Sequence, residues 1–168
     1  MIAMVIAAEH PELVHKLVLG STAAQIEEED FQTIENWIEL AKAGDAEGLY
    51  LAFGEALYPP ELFALYHDAL IAAAETVTEE DLARFVVLAE GIRGFECSAE
   101  LKKIQCPVLV IGSRDDRVLG GDASVQIASR LKDRDSSELF LYDGYGHAAY
   151  DTAPDYKERL LRFLTAAF

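Results

Sequence analysis

Residues 106–120, CPVLVIGSRDDRVLG, and residues 138–151, ELFLYDGYGHAAYD, constrain the fold of this chain more than any other stretch. In the first, a proline opens a short apolar run, largely β-branched, that stops at Gly112-Ser113 and is followed at once by charge. A run too short for a helix and flanked by turn formers predicts a buried strand, here over about 107–112. The second stretch predicts another buried strand over about 138–142, and just past it Gly144, Gly146 and His147 form a turn that calls on glycine's backbone freedom. Open α/β sheets gather their chemistry beyond the carboxyl ends of adjacent strands. Asp115 and Asp116 stand at one such end and His147 at the next.

The remainder of the chain supplies what such a sheet needs on its faces. Residues 1–9 are apolar almost all round, with small Ala3, Ala7 and Ala8, which suits a helix pressed against a sheet, and Pro11 ends it. Residues 16–20 form a short apolar run closed by Gly20, a third strand, so that helix and strand make half of a βαβ unit whose other half is expected before Met1. From residue 25 to residue 97 the character is helical throughout. Glu27, Glu28, Glu29 and Asp30 precede Phe31, Ile34, Trp37, Ile38 and Ala41, a helical face with acids where the helix dipole favours them, and Gly44 closes it. A second helix covers 46–57, Tyr58-Pro59-Pro60 breaks it before a third over 61–74, and a fourth runs from Thr78 to about Gly91 with a capping box at Thr78 and Asp81. The aromatics of this region are expected in its core, with a minority lining an apolar pocket. After the strand at 107–112 follow a helix over 123–131, a polar loop over 132–137, the strand at 138–142 and a last helix over 154–168 with Pro154 as its opener.

Composition narrows the class of partner. The net charge of −16 is the wrong sign for nucleic acid or an anionic membrane surface, and 168 residues that are 51% hydrophobic can bury a core without staples. No apolar run is long enough for a membrane span and the opening residues lack a basic signal-peptide region, so a cytoplasmic protein is expected. Cys97 and Cys106 form no CxxC pair and read as inert thiols in a reducing compartment. No cofactor is expected. His10, His15 and His67 share no metal-ligand spacing with other ligand types, so no metal is expected, and Gly120-Gly121 lacks the lysine and hydroxyl residue of a phosphate loop.

Three stretches carry a resemblance. HPELVHKLVLGSTA resembles the segment of α/β-hydrolases that follows the nucleophile helix and forms the next strand; AELKKIQCPVLVIGSRDDRVLG resembles their strand and acid loop; LFLYDGYGHAAYDTAPDYKERLLRFL resembles their last strand, histidine loop and final helix. The order is right, and the helical stretch lies where that family places a cap domain. The resemblance implies an α/β class chain with a partial α/β-hydrolase fold: about three parallel strands flanked by helices, in a core of residues 1–24 and 98–168, with a helical cap insertion over 25–97. It also implies the chemistry. His147 would take a proton from a serine and return it to the leaving group, and an acid would hold its tautomer. Asp116 is the acid when strand, turn and the apolar Val118-Leu119 are matched to the family pattern, and Asp115 is the alternative.

The third member of that triad is not found in the sequence. The family's nucleophile lies in G-x-S-x-G, and none of the serines here stands in that setting; Ser21 and Ser113 each follow a glycine at a strand end but lack the second glycine and the helix start. The expectation is the carboxyl-terminal portion of a serine ester or acyl hydrolase, inactive or nearly so alone, whose substrate, if the site were completed, is a small hydrophobic acyl compound. Strand 16–20, having lost a neighbour, is expected to pair with a second copy in a homodimer or with a complementary amino-terminal half. The alternative is a stand-alone, non-catalytic binding or interaction domain derived from a hydrolase.

Overall fold

Val108–Ser113 is buried at every position, as a strand of β-branched and aliphatic residues must be when helices cover both its faces. The rest of one unit is arranged about it. The structure, a computed structural model, describes residues 1–29, 31–131 and 136–167. In chain order its elements are α1 (Ile2–Glu9), β1 (Leu17–Gly20), α2 (Gln32–Lys42), α3 (Ala46–Leu57), α4 (Pro60–Ala74), α5 (Glu79–Glu90), β2 (Val108–Ser113), α6 (Ala123–Leu131), β3 (Ser137–Tyr142), α7 (Ala149–Thr152) and α8 (Tyr156–Thr165), with single 3-10 turns at Pro11–Leu13 and Leu101–Lys103. They fall into two compact units, residues 1–25 with 96–168, and residues 26–95.

The first unit holds a three-stranded parallel sheet in the order β1-β2-β3. Leu17 pairs with Val108 and Gly20 with Ile111 on one side of β2, and Val108 with Ser137 through Ser113 with Tyr142 on the other. The pleat sends alternate side chains to opposite faces. Leu109 and Ile111 meet Ala149, Ala153, Tyr156 and Phe163 from α7, α8 and the link between them, whereas the opposite face carries α6 with its buried Ile127 and Leu131. Burying a side chain of this kind contributes about 1.5–3 kcal/mol. Where the chain leaves and re-enters the unit, a Gln25–Glu96 antiparallel bridge and a Cys97 N–H donated to the Ala24 carbonyl at 2.8 Å hold the two crossings side by side. At the far end Lys16 donates its ammonium to the Phe163 and Leu164 carbonyls at 3.1 and 2.8 Å, capping the end of α8.

Among the described residues the second unit is four helices, α2 to α5. Trp37, Phe53 and Phe85 stack edge to face, with centroids 4.9 and 5.3 Å apart, so aromatics from α2, α3 and α5 share one cluster. The α5 start is a capping box: the Asp81 amide donates to Thr78 Oγ1 and the Thr78 amide to the Asp81 carboxylate. Arg93 lies over the Phe31 ring and bonds Glu28 and Glu35. A surface cleft of about 500 Å³ in this unit is lined by Ala41, Lys42, Gly44, Glu79, Leu82 and Val86, with no aromatic among its lining residues, so it is not the aromatic pocket expected from the sequence.

Two further expectations are corrected. β3 is half-exposed along most of its length because it is the outer strand of the sheet; Leu139 is open, and the Arg159 guanidinium covers the Phe140 ring at 3.4 Å. The last helix begins at Tyr156, not at Pro154, and a short helix precedes it. Pro154 acts on the residue before it, holding Ala153 extended (φ −74°, ψ 126°), and so separates α7 from α8. Asp30, residues 132–135 of the expected polar loop and Phe168 lie outside the described residues.

Candidate active site at the carboxyl ends of the strands

All three parallel strands end at the same edge, and the loops leaving them meet there. β2 gives way to a tight turn in which the Asp116 amide donates to the Ser113 carbonyl at 3.3 Å. Asp116 Oδ1 then accepts from the amides of Val118 (2.8 Å) and Leu119 (3.0 Å), the turn that an aspartate side chain builds around its own backbone. One carboxylate oxygen is thereby occupied and the orientation of the other is set. That second oxygen, Oδ2, lies 2.8 Å from His147 Nδ1. The pair is enclosed, the two side chains being 5% and 16% exposed. A carboxylate only accepts, so Nδ1 carries the proton in the neutral ring and Nε2 is left as the ring's acceptor.

The histidine reaches this position through a loop built for sharp reversal. β3 ends at Tyr142, and Gly144 and Gly146 take φ of +80° and +62°, values that cost a side-chain-bearing residue strain. Asp115 is not bonded to the ring. Its Oδ1 accepts from the Gly144 amide at 3.0 Å and from the Ser113 hydroxyl at 2.7 Å, and its Oδ2 from the Gly146 amide at 3.0 Å. From the end of β1, Ser21 donates its hydroxyl to the His147 carbonyl at 2.7 Å, with φ of +42° at Ser21 itself. These two roles were not visible in the sequence. Gly144 and Gly146 announced a tight turn, but nothing in the sequence said which acceptor their amides would meet.

Of the other singled-out residues, Ser113 is buried with its hydroxyl on Asp115, His10 and His67 sit at the surface beside Glu12 and Asp68, and His15 is exposed. Cys97 and Cys106 are buried thiols outside any disulfide, and burial, ahead of the nearby charges, pushes the Cys97 thiol up. Among the described residues no group of three His, Cys, Asp or Glu side chains could hold a metal ion, and no helix is long and apolar enough to cross a membrane.

The electrostatics of the two acids give a pH prediction. Burial alone would raise the Asp116 carboxyl, but the His147 hydrogen bond and charge and the Leu119 and Val118 amides together bring it below the ordinary aspartate value. For Asp115 the same contest between burial and the donors Ser113, Gly146 and Gly144 also ends low. A carboxyl more acidic folded than unfolded contributes stability that is complete above its unfolded value and is lost as pH falls through its folded one. The urea midpoint of the sheet-bearing unit should therefore fall below about pH 4, and that acid limb should be shallower in Asp116→Asn. An unchanged limb in the variant would count against the depressed Asp116 value.

No family model matches the chain. Over 169 residues it is 28% identical to "Putative carbamate hydrolase RutD" of Rhizobium rhizogenes, covering 99% of this chain and 63% of that protein. Among solved structures, MGS-M2, an α/β-hydrolase enzyme from a Medee basin deep-sea metagenome library, superposes with a TM-score of 0.87 at 22% identity, covering 99% of this chain and 62% of that one. The enol-lactonase of Burkholderia xenovorans does so with a TM-score of 0.79 at 17% identity, covering 98% and 61%. The chain thus spans less than two thirds of the length of each of these proteins.

Proposed function

We propose that this chain, whose fold is that of an α/β-hydrolase over the portion it spans, supplies the acid and the base of a serine-hydrolase triad, Asp116 and His147, and takes its nucleophile from polypeptide outside these 168 residues. The observation that carries the reading is the 2.8 Å contact between His147 Nδ1 and Asp116 Oδ2 at the carboxyl ends of adjacent parallel strands. That arrangement leaves Nε2 to take a proton from a serine hydroxyl as the oxygen attacks an acyl carbon. The same proton then passes to the leaving oxygen or nitrogen, while Asp116 steadies the imidazolium formed in between. Water repeats the sequence on the acyl-serine.

The substrate class follows from that chemistry: an ester or related acyl compound with a small hydrophobic acyl group, carbamates included, as the name of the RutD relative suggests. Residues 26–95 act as the cap. The absence of G-x-S-x-G from the sequence makes the chain inactive or nearly so by itself. The surface beside β1, where Ile2, Ile6 and Leu13 are exposed, receives the complementary half or a second copy.

A fluorophosphonate probe tests this on two preparations: the chain alone, and the chain joined behind the residues of MGS-M2 that precede the matched region. The folded chain alone should take up no probe, and the folded chimera should take up one equivalent on a serine of the added segment. A His147-dependent adduct on the chain alone would overturn the external nucleophile. A folded chimera that neither labels nor hydrolyses esters would overturn the function.

A further inference from the structure

The contact between His147 and Asp116 is a single hydrogen bond to a side chain at the tip of a loop with two positive-φ glycines. One such bond does not fix a loop that has this much backbone freedom. What holds the loop is backbone contact from the two other strand ends. Asp115 stands at the surface, yet its carboxylate turns onto the Gly144 and Gly146 amides, both at 3.0 Å, and is itself aimed by the Ser113 hydroxyl at 2.7 Å. Ser113 is the last residue of β2 and is 2% exposed, so the acceptor is referred to the rigid centre of the sheet.

The second contact comes from β1. Ser21 is the non-glycine residue with positive φ among those described, and its amide donates to the Ile111 carbonyl at 3.0 Å, which ties it to β2. Glycine would occupy that backbone conformation without strain. What a serine adds there is its hydroxyl, and the hydroxyl donates to the His147 carbonyl at 2.7 Å. The loop is therefore gripped before the histidine, at residues 144 and 146, and at the histidine's own carbonyl.

We propose that Asp115 and Ser21 are positioning residues for His147: a two-sided backbone clamp that sets the imidazole against Asp116. The proposal rests on the reading of His147 and Asp116 as base and acid, and it gives the acid that sequence matching ranked second a different task. Neither residue touches the ring, so neither is a catalytic residue.

Nuclear magnetic resonance on the whole chain tests it. The wild type should show a His147 Nδ1 proton downfield of the amide envelope, assigned by its loss in His147→Gln. In Asp115→Asn the acceptor that faces both glycine amides is partly replaced by a donor. In Ser21→Gly the hydroxyl goes and the backbone strain goes with it, so the melting temperature should stay near that of the wild type. Each variant should lose or broaden the Nδ1 proton signal while the β2 amide resonances stay in place, a combination that a merely stabilising role does not produce. Retention of a sharp wild-type signal overturns the role of the residue concerned. If Asp115→Asn does not fold, hydrogen exchange on the wild type decides for Asp115: the exposed Gly144 amide must be protected along with Gly146, and free exchange at both overturns the role. Absence of the Nδ1 signal from the wild type would instead sink the acid and base reading, leaving the two failures distinguishable.

Discussion

His147→Ala, made in the chimera that adds a nucleophile-bearing half, is expected to lower kcat for a p-nitrophenyl ester by roughly a million-fold, and Asp116→Asn by roughly ten-thousand-fold. The two numbers differ for a reason visible in the loops. Without the imidazole nothing accepts the serine proton. Without the carboxylate charge the imidazole is still present, but Asp116→Asn places an amide opposite Nδ1, where the bond is 2.8 Å in the native chain, and so favours the wrong tautomer. Asp115→Asn should cost far less, roughly tenfold to a hundredfold, because its carboxylate reaches the loop backbone and not the ring. Steady-state rates with probe-titrated active sites would check all three. Equal losses in Asp115→Asn and Asp116→Asn would mean that the acid had been misassigned.

The largest effect on stability is expected from Gly121→Ala. A methyl group at that position would stand 2.0 Å from the Arg114 carbonyl oxygen and 2.8 Å from its carbon, both backbone atoms, so no side-chain rotation relieves the clash. The loop between β2 and α6 folds back so closely that residues 114 and 121 pass with nothing between them. Overpacking of this kind costs about 3 kcal/mol, and the loop that must move is the one that carries Asp116. Urea denaturation should show the loss, and the His147 resonances should shift in the same variant. By contrast nothing lies within 4 Å of a methyl placed on the neighbouring Gly120, where the cost is the positive φ of +81° alone. A Gly120→Ala variant more damaged than Gly121→Ala would refute the account.

The parallel sheet was legible because its strands announce themselves twice, by β-branched apolar runs and by the glycine and charge that stop them. The α/β-hydrolase fold was implied by the family resemblance that those stretches carry in the right order. That an acid of the β2 turn lies near His147 was readable from the same source, since parallel neighbours of similar length end together; Asp116 rather than Asp115 came from the resemblance alone. What escaped the sequence was everything set by the third dimension. The run ELFLY looks as buried as VLVIG, and only the strand order makes it an edge. Pro154 looks like a helix opener until the extended Ala153 before it is seen to divide α7 from α8. Asp115 and Asp116 are the same residue type one position apart. Their division of labour depends on which way a turn sends each side chain, and no spacing rule encodes that. Ser21 gave no warning of its left-handed backbone, because an ordinary serine at a strand end has the same letter.

The parallel pairing of β1 with β2 has a consequence for the order in which the molecule can be made. Leu17 and Val108 are register partners, yet the whole of residues 26–95 is synthesised between them. Closing so long an interval carries an entropic cost that no local contact offsets until β2 exists. While a ribosome is still translating, the helices of residues 26–95 can already find one another, whereas the edge of β1 that pairs with β2 must wait until Val108–Ser113 has been made. The sheet-bearing unit is thus the slow-folding one, and the β2-facing edge of β1 is open to mispairing for as long as that interval is being made.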